Sequence, residues 1–148
     1  MIRPGIPDDA PEVVRIFRES RAEAMPWLPV LHTAEEDLAW FRAALVPESY
    51  VFEEEGSVLG YAVVREDELH DLYVAPESQG RGVGSALFDR VREARPRGFR
   101  IWVFRDNARA RRFYEARGCR MVGATDGDNE EGLPDVLYEW RPGEGSET

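Results

Sequence analysis

The chain has 148 residues and a formal net charge of −10 at pH 7, a length that suits one domain whose core buries about two-thirds of the surface that the unfolded chain exposes. The single cysteine, Cys119, excludes an internal disulfide framework. No apolar run approaches the ~20 residues of a membrane-spanning helix, and the excess of acidic residues disfavours a nucleic-acid partner. Because the first residues also lack a signal-peptide core, we expect one cytoplasmic domain over residues 1–148, without a membrane partner and with a disordered polar tail over 142–148.

The first half of the chain predicts short strands and two helices. Asp9, with Pro11 and Glu12 behind it, is typical of a helix start with a capping box and a proline in the first turn, and Pro26 ends that helix. A second helix starts near Thr33, because three acidic residues fill its first turn. The predicted elements are a strand over 2–4, a helix capped by Asp9, a helix from Thr33, a hairpin of strands over 50–54 and 58–64, and a strand over 69–74.

The strand that ends at Val74 contains a conflict of parity. Leu72 and Val74 lie on one face by strict alternation, whereas Leu69 lies on the other. One extra residue reconciles them, so we predict a β-bulge near His70 or Asp71. Such a bulge leaves backbone donors and acceptors unpaired.

A glycine-rich run follows this strand. After Pro76 breaks the strand, glycines at 80, 82 and 84 remove Cβ atoms, so that successive backbone N–H groups can close on an anion at the start of a helix over 82–94. A kinase-like P-loop needs a lysine, which the chain lacks, and a Rossmann fingerprint opens a longer doubly wound domain. The run therefore predicts a phosphate site of another kind, or else a tight strand–helix turn without a ligand.

The last third of the chain predicts a helix and three strands. Asp106 or Asn107 is the predicted N-cap of a helix that Gly118 terminates. The acidic, glycine-containing segment over 125–134 predicts a mobile hairpin loop that borders the substrate mouth. The predicted strands lie over 100–104, 121–124 and 136–140.

Charge is segregated along the chain. Residues 80–120 carry 12 arginines against 4 acidic residues, whereas residues 1–79 carry 6 arginines against 17 acidic residues. The basic block draws an anionic ligand to the glycine run, and the acidic remainder favours a cationic substrate. Within this block we expect Arg81 to contact a phosphate and Arg109 to solvate a helix face.

Two motifs in order carry a family resemblance. The pattern Gln79-x-x-Gly82-x-Gly84, after Leu72-Tyr73-Val74, resembles the acyl-CoA pyrophosphate loop of the GNAT N-acetyltransferases. Residues 107–119 resemble the Asn-x-x-Ala-x-x-Phe-Tyr-x-x-x-Gly-Phe helix of that family, with Cys119, expected as a small buried residue, in place of the last aromatic.

The resemblance covers about residues 49–141 and implies a fold and a co-substrate. The implied fold is α+β, in three layers: a mixed, mostly antiparallel sheet of six or seven strands between about four helices, with a bulged, splayed strand at the acyl-CoA site. Acetyl-CoA is the implied co-substrate, and no metal is expected.

The resemblance also implies roles for particular residues. Tyr114 is the expected general acid for the departing thiolate. Glu68 matches the strand position that supplies the base in histone-type members, with His70, Asp71 and a proton path through water as alternatives. Trp102 stands where relatives that acetylate N-terminal amines place a glutamate. The expected cofactor-binding residues are Leu72, Tyr73, Val74, Gln79, Gly80, Arg81, Gly82, Val83, Gly84, Ser85, Asn107 and Tyr114.

Two classes of function stay open. The first is an N-acetyltransferase that moves the acetyl group to a primary amine of a small molecule, peptide or protein, by direct attack through a tetrahedral intermediate. The second is a module that binds acyl-CoA without catalysis, as a sensor or assembly partner. The segment over 21–33 is expected to help select the amine, and exposed apolar surface around Trp27, Trp40 or Trp140 would favour a homodimer.

Overall fold

The computed structural model describes residues 1–143, which form a seven-stranded sheet with two helices on each face. The strands are β1 (Ile2–Pro4), β2 (Ser49–Glu54), β3 (Ser57–Arg65), β4 (Glu68–Val74), β5 (Phe99–Phe104), β6 (Arg120–Thr125) and β7 (Asp135–Trp140). The helices are α1 (Ala10–Ala24), α2 (Ala34–Ala44), α3 (Val83–Ala94) and α4 (Ala108–Ala116). The predicted α+β class is confirmed, while most of the predicted disordered tail, residues 144–148, lies outside the described residues.

The sheet splits between its fourth and fifth strands. The strand order is β1-β2-β3-β4-β5-β7-β6, and neighbours are antiparallel except for β4 and β5. These two run parallel and share one register pair, Glu68 with Arg100, beside the hydrogen bond from the Arg100 N–H to the Asp67 carbonyl (2.8 Å). Beyond that pair the strands part, which confirms the predicted splayed strand and opens a cleft along β4.

The bulge that parity predicts lies in β4. Val63 of β3 is in register with Asp71, but the next residue, Val64, is in register with Leu69, so that His70 is the extra residue. Leu69 consequently points into the same core as the later apolar residues of the strand.

The sheet separates two hydrophobic cores. One lies beneath α3 and α4 and includes the fully buried Leu87 and Phe88. The other lies beneath α1 and α2 and includes the fully buried Ile16 and Phe41. Burying a side chain of this size contributes about 1.5–3 kcal/mol, so apolar packing holds a helix layer on each side of the cleft.

Helix α2 begins where the sequence predicts, and α4 has both of its predicted ends. Thr33 and Glu36 form a capping box, with the Thr33 hydroxyl accepting the Glu36 N–H (3.1 Å) and the Glu36 carboxylate accepting the Thr33 N–H (2.8 Å). The Asn107 side chain accepts the Ala110 N–H (3.2 Å) at the start of α4. Gly118 follows α4 at a φ of +86°, the left-handed conformation that glycine adopts at a helix end.

The predicted capping box of α1 is wrong. Asp9 occupies the N-cap position, but its carboxylate accepts from the Arg3 guanidinium (2.9 Å) and from the Ile6 N–H (2.9 Å) instead of from the helix. Glu12, the predicted capping acid, accepts the Val58 N–H of β3 (3.1 Å). Partners distant in sequence take both carboxylates, and Glu12 thereby ties α1 to the sheet.

Candidate active site

The turn between β4 and α3, residues 79–84, leaves backbone N–H groups free. A 3₁₀ turn over Pro76–Ser78 ends the strand, and Gly80 and Gly82 then adopt φ angles of +79° and +82°, which glycine adopts without strain. A Cβ at either position would meet open space. No side chain among residues 1–143 caps α3, so the N–H groups of its first turn lack partners and, with the helix dipole, suit an anion.

A cavity of about 330 Å³ adjoins this glycine turn and the open edge of β4. Its walls come from α1, the end of β4, the glycine turn with α3, and α4. The cavity brings together eleven of the twelve predicted cofactor-binding residues, all except Arg81. The lining residues that the sequence did not predict are Ser20, Ala24, Ser78, Arg109, Ala110, Phe113 and Arg117.

The open edge of β4 presents backbone groups to the cavity. The Ala75 N–H, directly after β4, donates to the carbonyl of Leu59 in β3 (2.8 Å). Because alternate residues of an antiparallel strand point their backbone groups to opposite sides, those of Leu72 and Val74 point away from β3. The Val74 carbonyl accepts the Ser20 hydroxyl (2.8 Å). The N–H groups on this edge are placed to bind an extended ligand, as an added strand would.

Arg109 crosses the mouth of the cavity. Its guanidinium donates to the Gln79 side chain in the glycine turn (2.7 Å) and to the Glu23 carboxylate on α1 (3.0 Å). The sequence predicts that this arginine solvates a helix face, whereas the structure places it among the lining residues. Its position two residues after Asn107 was an available signal, but no local pattern links Ser20, on α1, to the site.

Arg81 lies outside the cavity lining. Its exposed guanidinium pairs with the Glu54 carboxylate at the end of β2 (2.8 Å). A phosphate contact stays a prediction for this residue.

Tyr114 brings a hydroxyl group from α4 to the cavity. Its ring packs in the core beside Phe88 and Tyr138, with the residue 6% exposed. Within residues 1–143 the hydroxyl has no hydrogen-bond partner, yet it is not sealed from solvent, so it opens on the cavity. Burial raises the pKa of the Tyr114 phenol, and the group therefore keeps a proton to donate at neutral pH.

The three acid–base candidates on β4 have different surroundings, and none lines the cavity. Glu68 lies where β4 and β5 are still paired. The His70 ring lies 5.2 Å from the Trp40 ring, and its Nδ1 lies 3.2 Å from an Asp71 carboxylate oxygen. That hydrogen bond raises the pKa of His70. The other Asp71 oxygen accepts the Tyr61 hydroxyl (3.0 Å), so the structure joins His70 and Asp71.

The acidic loop between β6 and β7 lies against α1 and the α1–α2 loop. Glu131 pairs with Arg21 (3.3 Å), and Glu130 lies 2.9 Å from His32. Hydrogen bonding to Glu130 raises the pKa of His32. The hairpin loop that the sequence predicts thus contacts the segment that is expected to help select the amine; its mobility stays a prediction.

Several remaining expectations concern tryptophan and cysteine. Trp27 is 43% exposed and Trp40 is 37% exposed, whereas Trp140 is half-buried; a homodimer stays a prediction. Trp102 is also partly exposed, on β5. Cys119 is buried as expected, and burial raises its pKa to about 12.

The structure of residues 1–143 also bears on metal binding and on membrane insertion. No three His, Cys, Asp or Glu side chains in this part of the chain are arranged to hold a metal ion. None of its helices is both long enough and apolar enough to cross a membrane.

Known proteins share this sequence pattern and this fold. The model of the Acetyltransferase (GNAT) family matches residues 12–119. The peptidyl-lysine N-acetyltransferase YiaC of Escherichia coli is 28% identical over 143 residues, which cover 95% of this chain and 96% of that protein. The solved GCN5-related N-acetyltransferase from Rhodopseudomonas palustris has a TM-score of 0.80 at 25% identity, over 96% of this chain and 95% of that one.

A second solved structure, the paiA N-acetyltransferase from Thermoplasma acidophilum in complex with coenzyme A, has the same fold. Its TM-score is 0.71 at 16% identity, over 96% of this chain and 98% of that one. Since the family model spans most of the sequence and the structure has the corresponding fold, the chain belongs to the GNAT acetyltransferase family.

Proposed function

We propose that this chain is an N-acetyltransferase that moves an acetyl group from acetyl-CoA directly to a primary amine. One observation carries the proposal: a single cavity joins the glycine turn, the open edge of β4 and the Tyr114 hydroxyl. In that order these features suit a pyrophosphate, an extended amide-containing arm and a thioester sulfur. Coenzyme A in the Thermoplasma acidophilum neighbour supports the same class of ligand.

Backbone groups hold most of the co-substrate in this proposal. The unpartnered N–H groups at the start of α3 bind the pyrophosphate, because Gly80 and Gly82 leave space for its close approach. The free backbone edge at Leu72 and Val74 binds the pantetheine arm. Arg109 adds a positive charge at the cavity mouth, where its bond to Gln79 already places it beside the glycine turn.

The acceptor amine must lose a proton before it attacks. With a lysine-like pKa of ~10.4, the ammonium form outnumbers the free amine by about a thousandfold at pH 7, so a base or a path for the proton is needed. The free amine then attacks the thioester carbonyl carbon, and negative charge develops on the carbonyl oxygen. A free N–H of the bulged strand β4 stabilises that charge.

Tyr114 is the general acid of the proposed reaction. Collapse of the tetrahedral intermediate breaks the carbon–sulfur bond and expels a thiolate, which takes up a proton. The Tyr114 hydroxyl opens on the cavity without a protein partner among the described residues, and a tyrosine, with an ordinary pKa of ~10, carries its proton at neutral pH, as a general acid must.

We further propose that the acceptor amine is carried by a peptide or protein. The relative from Escherichia coli is named a peptidyl-lysine N-acetyltransferase. Acidic side chains at the α1 end of the cavity and on the adjoining loop include Glu23, which pairs with Arg109, and Glu130, which lies beside His32; an ammonium group of the acceptor can exchange with these partners.

Binding and turnover assays test the proposal together. Calorimetry with acetyl-CoA and with ATP tests the ligand class, and we expect acetyl-CoA to bind and ATP not to. Thiol release is then followed with a lysine-containing peptide, a peptide with a free N-terminus and a small alkylamine. Release with at least one amine supports the transferase. Binding without release across the panel indicates an acyl-CoA sensor instead, and absence of acetyl-CoA binding contradicts both.

A further inference from the structure

The face of β4 toward α1 and α2 carries a carboxylate near the cavity. Side chains two residues apart on a strand share a face, so Asp71 points to the same side of the sheet as Tyr73. The Tyr73 ring packs on the Phe17 ring of α1 (5.8 Å) and lines the cavity. The Asp71 side chain, 10% exposed, therefore lies one strand repeat, about 7 Å, from the cavity wall.

Titratable and charged groups from the neighbouring elements surround Asp71. Burial raises the pKa of Tyr61 on β3, and the Asp71 charge adds to that shift. Burial likewise raises the pKa of Tyr73, with Arg21 of α1 opposing and Asp71 adding to the shift. Burial and then the charges of several neighbours, Asp71 among them, raise the pKa of Tyr114. Asp71 is thus within electrostatic reach of both tyrosines that line the cavity.

Asp71 also has a contact that leads to solvent. The Tyr61 hydroxyl donates to one carboxylate oxygen (3.0 Å) and orients the side chain, while the other oxygen lies 3.2 Å from Nδ1 of His70. His70 is the bulge residue, its side chain is 35% exposed, and its ring lies against the ring of Trp40 (5.2 Å). The bulge therefore places the His70 imidazole between the largely buried Asp71 carboxylate and solvent.

Glu68, the base that the family resemblance implies, lies farther from the cavity. It is in register with Arg65 on β3 and with Arg100 on β5, at the closed end of the cleft. It lies four positions before Leu72, where the cavity lining on β4 begins, which is roughly 10–13 Å of strand. Its charge raises the pKa of His70 in addition to the larger effect of the Asp71 hydrogen bond, and Arg65 opposes the shift.

We propose, resting on the acetyl transfer proposed above, that the Asp71 carboxylate removes the proton from the acceptor ammonium and that His70 passes this proton to solvent. Because Asp71 lies outside the cavity lining, the transfer runs through a bridging water: the ammonium N–H bond breaks, the water passes a proton to an Asp71 oxygen, and the nitrogen lone pair is free to form the C–N bond. In the Nε2–H tautomer of His70, the proton then moves from Asp71 to the free Nδ1 while Nε2 releases its own proton to water, which regenerates the carboxylate. Proton exchange with water returns the ring to the Nε2–H tautomer before the next turnover. Asp71 is the catalytic residue, and His70 is a positioning residue that acts through it.

Asp71→Asn tests the base and keeps the contact with Tyr61. The asparagine carbonyl still accepts the Tyr61 hydroxyl, so the fold is expected to persist. With a lysine-containing peptide at pH 7, we expect kcat to fall by about 10²–10⁴-fold, while calorimetry shows acetyl-CoA binding unchanged. Asp67→Asn, the same chemical change on an exposed side chain between β3 and β4, is the matched control and keeps wild-type kcat.

The pH profile separates a lost base from a damaged fold. Free amine becomes about tenfold more abundant with each pH unit below its pKa of ~10.4, so the deficit of Asp71→Asn shrinks as the pH rises. A purely structural defect stays constant. His70→Gln is expected to lose less activity than Asp71→Asn, and added imidazole restores its turnover in proportion to the imidazole concentration.

Distinct outcomes overturn the two proposals. Wild-type turnover in Asp71→Asn, or a deficit that is equal at every pH, overturns the role of Asp71 while acetyl transfer stands. Loss of turnover in Glu68→Gln with Asp71→Asn unaffected assigns the base to Glu68 instead. Absence of turnover in the wild-type chain overturns the acetyl-transfer proposal and this inference with it.

Discussion

Replacing Tyr114 with phenylalanine removes one hydroxyl group from the cavity and leaves the core packing intact. The ring keeps its contacts with Phe88 and Tyr138. Within residues 1–143 the hydroxyl has no hydrogen-bond partner to lose, so we expect the free energy of unfolding to change by no more than about 0.5 kcal/mol. Urea titration measures that change.

The same substitution lowers turnover if the hydroxyl protonates the thiolate. A positioned general acid contributes about 10²–10⁴-fold, which is about 2.7–5.5 kcal/mol of the activation barrier. Burial raises the pKa of Tyr114 above its ordinary value, so the phenol stays protonated across the neutral range. The deficit of Tyr114→Phe is therefore expected to be equal at every pH in that range, unlike the deficit of Asp71→Asn.

Tyr138 provides a matched tyrosine with the opposite expectation. Its hydroxyl accepts from the Arg111 guanidinium (3.0 Å) and donates to the Glu115 carboxylate, and it does not line the cavity. Tyr138→Phe is expected to cost about 0.5–1.5 kcal/mol of unfolding free energy and to keep wild-type turnover. Full turnover of Tyr114→Phe when bond-breaking limits the rate, or an equal loss of activity in the two variants, would rule out Tyr114 as the general acid.

Three further expectations follow from the same structure. Gly82→Ala and Gly56→Ala strain the backbone equally, because the φ angles are +82° and +79° and both positions face open space. Each substitution is expected to cost about 1 kcal/mol of unfolding free energy. Calorimetry is expected to show weaker acetyl-CoA binding for Gly82→Ala alone, and equal binding by both variants counts against the glycine turn as the pyrophosphate site. Hydrogen bonding to Glu130 raises the pKa of His32, so this contact stabilises the folded chain fully below the unfolded pKa of ~6.5, and the stabilisation is lost as the pH rises through the higher folded pKa. NMR titration is expected to show a lower His32 pKa in Glu130→Gln, and an unchanged pKa would disprove the contact. Since burial raises the pKa of Cys119 to about 12, a thiol-reactive dye is expected to label the unfolded chain and not the native chain at neutral pH. Rapid labelling of the native chain would show that the segment after α4 exposes this thiol to solvent.

Features that depend on neighbours in the chain could be predicted from the sequence. The glycine turn, the Asn107 cap and the Gly118 helix end follow from local backbone preferences, which a few adjacent residues set. The bulge at His70 follows from side-chain alternation, because a strand with apolar residues of mixed parity needs one extra residue to bury them all. These local rules predicted the glycine turn and the bulge, whereas the family resemblance implied the splayed strand and the cofactor-binding residues, eleven of which line the cavity.

Contacts between distant segments were beyond such reasoning. Glu12 fits a capping box by its spacing, yet it binds the Val58 N–H, 46 positions away. Ser20 contacts a carbonyl 54 positions away, and Arg109 reaches a carboxylate 86 positions away. A charged or hydroxyl side chain bonds to whichever partner the packed layers bring within about 3 Å, and spacing along the chain does not specify that partner. For the same reason the sequence leaves Glu68, His70 and Asp71 as rivals, and the packing of α1 and α2 on β4 separates their surroundings.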